Sequence, residues 1–219
     1  MSIAENIALV ESRVAAACTR AGRMRHEVTL IAVSKTFPPQ AVSEAIAAGI
    51  REVGENRVQE ARDKRPLVSG DARWHLIGHL QSNKSKDAVR LFDMIQTVDT
   101  LSLAAKIASA AQSAGKTLEV LLEVNIGREP QKHGAAPEEV EGIVESLRAL
   151  EGIHVRGLMS IPPVGAPEQT RAHFTELRKM RLALGLEHLS MGMSSDFEEA
   201  IEEGSTMVRV GRAIFGSRA

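Results

Sequence analysis

From residue 28 onward, short runs of β-branched and aliphatic residues alternate with longer stretches in which apolar side chains recur at helical spacing. The runs predict strands over 28–34, 52–55, 74–78, 94–98, 118–125, 154–160, 188–192 and 207–210. Segments such as LIAVS and LLEV are apolar on successive residues, as in strands of a parallel sheet covered by helices on both faces. Helices fill the intervals, and those over 41–49, 102–115 and 198–204 each end at a glycine. Ahead of the first strand, Ile3, Ile7, Val10 and Val14 form an apolar stripe, and Ser2 with Glu5 fits a capping box. The first 22 residues therefore predict an extra helix, with Cys18 packed in it as a small apolar group.

Eight strand–helix units in roughly 190 residues predict an α/β chain folded as a single (β/α)8 TIM barrel with an extra N-terminal helix, spanning 1–219 as one domain. A doubly wound open sheet is the competing architecture, since strand count alone favours closure only in part. No linker, low-complexity segment or repeat marks a second domain.

Composition narrows the function classes. The 27 Lys and Arg residues nearly balance 28 Asp and Glu, so no global field points to nucleic acid or an anionic membrane. The chain has no tyrosine, one tryptophan (Trp74) and five phenylalanines, which leaves few stacking platforms for bases. A single cysteine forms no internal disulfide, and the N-terminal segment is charged throughout, so a cytoplasmic protein is expected.

In a (β/α)8 barrel, functional groups project from the C-terminal strand ends. The polar residues there are Lys35, Glu55 and Asn56, His79, Asn125, Ser160, Ser194, and Arg209 followed by Gly211. Lys35 is notable because an amine at the end of a buried strand must be paired, shifted or modified. A partly desolvated lysine is easily deprotonated, as Schiff-base chemistry requires. Snorkelling to the barrel mouth, or a pair with Glu55, is the alternative.

The C-terminal segment adds two anion cradles. Ser195 to Glu198 reads S-x-x-E, a capping box that would open a helix and leave the Ser194 hydroxyl for a phosphate. Gly211 then starts a turn near Arg212 and Gly216, and barrels commonly bind phosphate after strands seven and eight. Ordinary capping and turn chemistry would use the same residue types. The stretch 211–217 is not a P-loop, lacking the lysine after its second glycine. His75 and His79, four apart in a strand, would be ~13 Å apart and could not share a zinc, so no metal site is expected. Lys84 and Lys86 read as a solvated helix start.

Lys35, GEN (54–56), WHLIGHLQSNK (74–84), GLMSIP (157–162), LSMGMSSD (189–196) and STMVRVGRAIFG (205–216) together closely resemble the pyridoxal phosphate homeostasis protein family over nearly the whole chain. The resemblance implies a barrel like the N-terminal domain of alanine racemase. It implies pyridoxal 5′-phosphate as an internal aldimine, a Schiff base, on Lys35. Ser194 would hold the phosphate, Gly211 and Arg212 would donate N–H groups to it, Arg209 would face the pyridine nitrogen, and Asn56 would complete the cofactor-binding set.

A fixed cation at that nitrogen weakens the ring as an electron sink. A two-base racemase also needs an opposing group, a tyrosine in alanine racemase, and this chain has none. The expected role is a carrier in cofactor homeostasis, with delivery to apo-enzymes as an extension of that role, no catalytic residues, no nucleic-acid or membrane partner, and a monomeric state. Two competing readings remain: an enzyme of racemase or other amino-acid chemistry using His79, Lys84 or another rim group as base, and a sugar-phosphate barrel with Lys35 unmodified. Lys132, in the charged loop 126–134, is expected to be solvent-exposed, with contact to a ligand or partner as the alternative.

Overall fold

A computed structural model describes residues 1–163 and 165–216; Val164 and 217–219, which include Ser217 of the 211–217 stretch, lie outside the described residues. Eight strands follow in chain order: β1 (Thr29–Val33), β2 (Glu52–Glu55), β3 (Arg73–Leu76), β4 (Met94–Val98), β5 (Leu118–Glu123), β6 (Ile153–Met159), β7 (His188–Ser190) and β8 (Met207–Val210). Each pairs in parallel with the next and β8 pairs with β1, so the sheet closes and the open-sheet alternative is excluded. Three strands match their predicted limits to the residue. Others stop earlier at the C-terminal end, where the apolar run continues into a loop: Ile77, just past β3, still donates its N–H to the Glu55 carbonyl at 2.9 Å and lines the barrel mouth.

The helices are α1 (Ile3–Arg20), α2 (Pro39–Ala47), α3 (Val58–Lys64), α4 (Ser85–Leu91), α5 (Leu101–Ser113), α6 (Val140–Arg148), α7 (Pro167–Ala183), α8 (Phe197–Glu202) and α9 (Arg212–Phe215). Gly49 and Gly115, just beyond α2 and α5, have φ of +108° and +65°, conformations that side-chain-bearing residues adopt at a cost. Burial divides into two layers. One large apolar cluster lies between helices and sheet, and a smaller one of Ile31, Met94, Leu121, Met159 and Met207 fills the barrel. Each such buried side chain contributes about 1.5–3 kcal/mol. Among the described residues, no helix is long and apolar enough to cross a membrane.

The N-terminal helix forms as its pattern predicts. Glu5 N–H donates to Ser2 Oγ at 3.2 Å, Ser2 N–H donates to Glu5 Oε2 at 2.7 Å, and Ile7, Val10, Val14, Ala17 and Cys18 are buried. Its polar face ties down the end of the barrel that carries β7 and β8. Arg13 and Arg20 reach Glu198 at 2.7 and 2.9 Å, and Asn6 Nδ2 donates to the Ile214 carbonyl at 2.9 Å. This corrects the expected Ser195–Glu198 capping box. Glu198 is drawn off by two arginines of α1, and α8 is preceded by Asp196, whose Oδ1 accepts from the Met193 N–H at 2.6 Å.

Candidate functional site

A cavity of about 470 Å³ opens at the C-terminal end of the barrel. Lys35, Asn56, Ser194, Arg209, Gly211 and Arg212, drawn from the ends of β1, β2, β7 and β8, all line it. Val33, Phe37, Ile77, Ile161 and Met193 supply apolar walls. Phe37 stacks on Phe215 with ring centroids 5.1 Å apart, joining the loop after β1 to α9. At Gly211 the backbone runs close to β1: a Cβ there would lie 3.1 Å from the Val33 carbonyl oxygen. The sequence-predicted set thus converges on one space with a lysine, a buried arginine and a hydroxyl–glycine turn.

Arg209 is 3% exposed, and its orientation is set by protein groups. Nη2 donates to the Ser160 carbonyl at 2.9 Å and Nη1 to Ser190 Oγ at 2.6 Å. Ser190 Oγ donates onward to Gln96 Oε1 at 2.7 Å, Gln96 Nε2 to His75 Nδ1 at 3.0 Å, and His75 Nε2 to Glu52 Oε2 at 2.5 Å. The His75 tautomer in this chain is assigned from its neighbours: Nδ1 accepts and Nε2 donates. Bonds aligned in one direction polarise one another. Burial pulls the guanidinium down to about 10, with Glu123 and Asp196 opposing, so it remains a cation at neutral pH.

The backbone around Lys35 is clamped from below. Lys64, 5% exposed, donates from Nζ to the Ser34 carbonyl at 2.8 Å, to Glu55 Oε1 at 2.5 Å and to Glu60 Oε1 at 2.9 Å. Ser34 Oγ donates to the same Glu55 oxygen at 2.6 Å, and the Thr36 N–H donates to Glu60. Burial pushes the Glu55 carboxyl up, while Lys64 and the Ser34 hydroxyl pull it down. Thr36 has φ of +70°, unfavourable for a β-branched residue, so the residues on either side of Lys35 are held by this network. Glu55, considered from sequence as a partner for Lys35, receives the Lys64 amine.

Other strand-end candidates serve the scaffold. Ser160 Oγ donates to the Val124 carbonyl at 2.6 Å, and the Asn125 side chain bridges both backbone groups of Glu129 at 2.8 and 3.1 Å, shaping the loop after β5. Lys132 pairs with Glu129 in that loop. Lys84 and His79 line a smaller rim pocket that shares Asn56 with the main cavity.

Two groups escaped sequence reasoning. Lys64 carried a signal, its i,i+4 spacing from Glu60, though not its burial. Glu123 was hidden inside an apolar run. Burial pushes its carboxyl up to about 7, Asp99 adds to the rise and Arg209 opposes it, and Oε2 has no hydrogen-bond partner among the described residues.

Residues 7–219 match the alanine racemase N-terminal domain family. The pyridoxal phosphate homeostasis protein of Pseudomonas aeruginosa is 44% identical over 221 residues, covering 99% of this chain and 96% of that one. Its namesake in Escherichia coli K12 is 42% identical over 99% and 97%. PipY of Synechococcus elongatus, solved with PLP bound, superposes with a TM-score of 0.88 at 39% identity, covering 98% of this chain and all of that one. An alanine racemase of Clostridium difficile shares the fold alone, with a TM-score of 0.72 at 16% identity over 95% of this chain and 56% of the racemase. The barrel, its mouth and these relatives agree that the chain belongs to the alanine racemase N-terminal domain family and, within it, to the pyridoxal phosphate homeostasis proteins.

Proposed function

We propose that this protein binds pyridoxal 5′-phosphate in the barrel-mouth cavity as a Schiff base on Lys35, and serves cofactor homeostasis, including delivery to apo-enzymes, with no amino-acid turnover of its own. The carrying observation is the convergence of Lys35, Asn56, Ser194, Arg209, Gly211 and Arg212 on one cavity. The relatives' shared name and the PLP-bound PipY structure support the same reading.

The cofactor supplies an aldehyde that condenses with amines and a ring that withdraws electrons. The residues present fit such a group. Lys35 offers the amine from a clamped backbone. Ser194 and the Gly211–Arg212 turn offer donors to a phosphate, and the bare α-carbon of Gly211 lets the turn sit against Val33. Asn56 provides a polar side chain on the β2 side. Arg209 would hold a fixed cation beside the ring, where it would disfavour a protonated ring nitrogen and restrain carbanion chemistry. With no tyrosine in the chain, the opposing base of a racemase has no counterpart. The proposal extends to a monomeric protein acting in the cytoplasm.

The test is the absorbance of purified protein incubated with pyridoxal 5′-phosphate, compared with Lys35→Ala. A visible imine band present only in the wild type, trapped by borohydride on the peptide containing Lys35, is the expected result. A band retained in Lys35→Ala overturns the covalent assignment. A panel of amino acids should show no α-proton exchange; turnover on the order of 1 s⁻¹ or more would replace the carrier with an enzyme using a rim base such as His79 or Lys84.

A further inference from the structure

We infer that His79, Asp99 and His133 form a binding site for one divalent transition-metal ion, with zinc the best match, at the rim of the barrel mouth. The three residues sit in consecutive loops, after β3, β4 and β5. Their ligand atoms all lie within 4.8 Å of one another. Asp99 Oδ2 is 3.5 Å from His79 Nδ1 and 3.7 Å from His133 Nδ1, both longer than an ordinary N–H···O hydrogen bond. The two imidazoles therefore converge on one carboxylate oxygen at distances longer than an ordinary hydrogen bond.

That spacing suits an ion. With Zn–N and Zn–O bonds of ~2.0–2.1 Å, neighbouring ligand atoms of a tetrahedral site stand ~3.3 Å apart, so the two His–Asp spacings need to contract by only a few tenths of an ångström, and the ring rotations set the His–His spacing. Two imidazoles and a carboxylate match the preferences of zinc and its neighbours better than those of calcium or magnesium. Three protein ligands leave a coordination position open.

The rings stack face to face, with centroids 3.7 Å apart and planes 12° from parallel. Each must turn about its Cβ–Cγ bond to aim its in-plane lone pair at a common ion. Both have room to do so, being 41% and 58% exposed, whereas Asp99 at 11% is the fixed member. His79 also lines the rim pocket of about 260 Å³ that shares Asn56 with the main cavity, which places the ion beside the larger cavity. His75, the histidine nearest to His79 in sequence, is excluded because both its nitrogens are committed to Gln96 and Glu52.

The experiment is calorimetric titration of chelator-treated full-length protein with zinc chloride, repeated with cobalt chloride while recording the visible d–d absorbance. One ion per chain is expected, with affinity reduced at least tenfold in both His133→Ala and Asp99→Asn and unchanged in His26→Ala, which alters an exposed histidine outside the trio. Circular dichroism of each variant separates lost binding from lost folding, and His133→Gln provides a milder replacement. Absence of saturable binding overturns the site, as does one-to-one binding that the His133 and Asp99 variants leave unchanged. No cofactor enters these measurements, so their outcome is independent of the chemistry at Lys35.

Discussion

Arg209 Nη1 donates to Ser190 Oγ at 2.6 Å, and that bond begins a chain that continues through Gln96 and His75 to Glu52, from the C-terminal end of the barrel to its N-terminal end. Gln96 is the middle link and is fully buried. Gln96→Leu leaves Ser190 and His75 short of a partner inside the barrel, each costing about 1–3 kcal/mol. A loss of roughly 2–6 kcal/mol is expected from the urea midpoint. Thr97→Val, which removes only the hydroxyl bond to the Gly78 carbonyl, should cost about 1 kcal/mol. Equal effects of the two variants would show that the chain contributes no more than an ordinary hydrogen bond.

Lys64 and Glu55 form a buried pair under the Lys35 backbone. Removing one partner strands the other, so Lys64→Met should destabilise the fold by about 3–5 kcal/mol. In the double variant with Glu55→Gln the uncompensated carboxylate is gone, and much of the loss should be recovered. Chemical denaturation of the two single variants and the double measures the coupling. Simple additivity would contradict a paired charge at this position.

Glu123 governs part of the pH dependence. Its carboxyl is raised to about 7 in the fold, against an ordinary value of 4.5, first by burial and then by Asp99. Below the ordinary value both folded and unfolded forms hold the proton. Between the two values the unfolded chain releases it first, so stability falls as pH rises, by up to about 3 kcal/mol. Glu123→Gln removes this contribution. The variant should match wild type near pH 4 and exceed it most near pH 8 in thermal melts, and a constant offset across that range would refute the shift.

Gly211 has φ of −112°, which any residue adopts, so a side chain there is opposed only by contact. The Cβ of Gly211→Ala would stand 3.1 Å from the Val33 carbonyl oxygen and 3.4 Å from the Val33 Cβ, both on strand β1, which cannot easily give way. An expected cost of about 1–3 kcal/mol follows from overpacking. Because the same turn borders the cavity, equilibrium dialysis against pyridoxal 5′-phosphate should show weaker retention than wild type. Full retention would place the phosphate elsewhere.

Much of the fold was legible in the chain because its signals are local. The apolar runs at 52–55, 94–98 and 207–210 match β2, β4 and β8, since burial on both faces is written into successive residues. The Ser2–Glu5 capping box closes within three residues and forms as read. The Ser195–Glu198 box has the same local pattern and does not form, because Arg13 and Arg20 bring distant charges to Glu198. A local motif is thus reliable only while no tertiary partner competes for its side chain.

The sequence by itself determined the strand–helix alternation, the place of Lys35 at the end of β1, and the turn at Gly211, all of which depend on neighbours a few residues away. Only the closed barrel decided that Arg209 is aimed through Ser190 and Gln96, that Lys64 takes Glu55, that Glu123 holds its proton near neutrality, and that His79 meets His133 instead of His75. The reason is geometric: a strand's period specifies which face a side chain occupies, whereas its partner comes from other strands or loops that meet it only when the sheet closes.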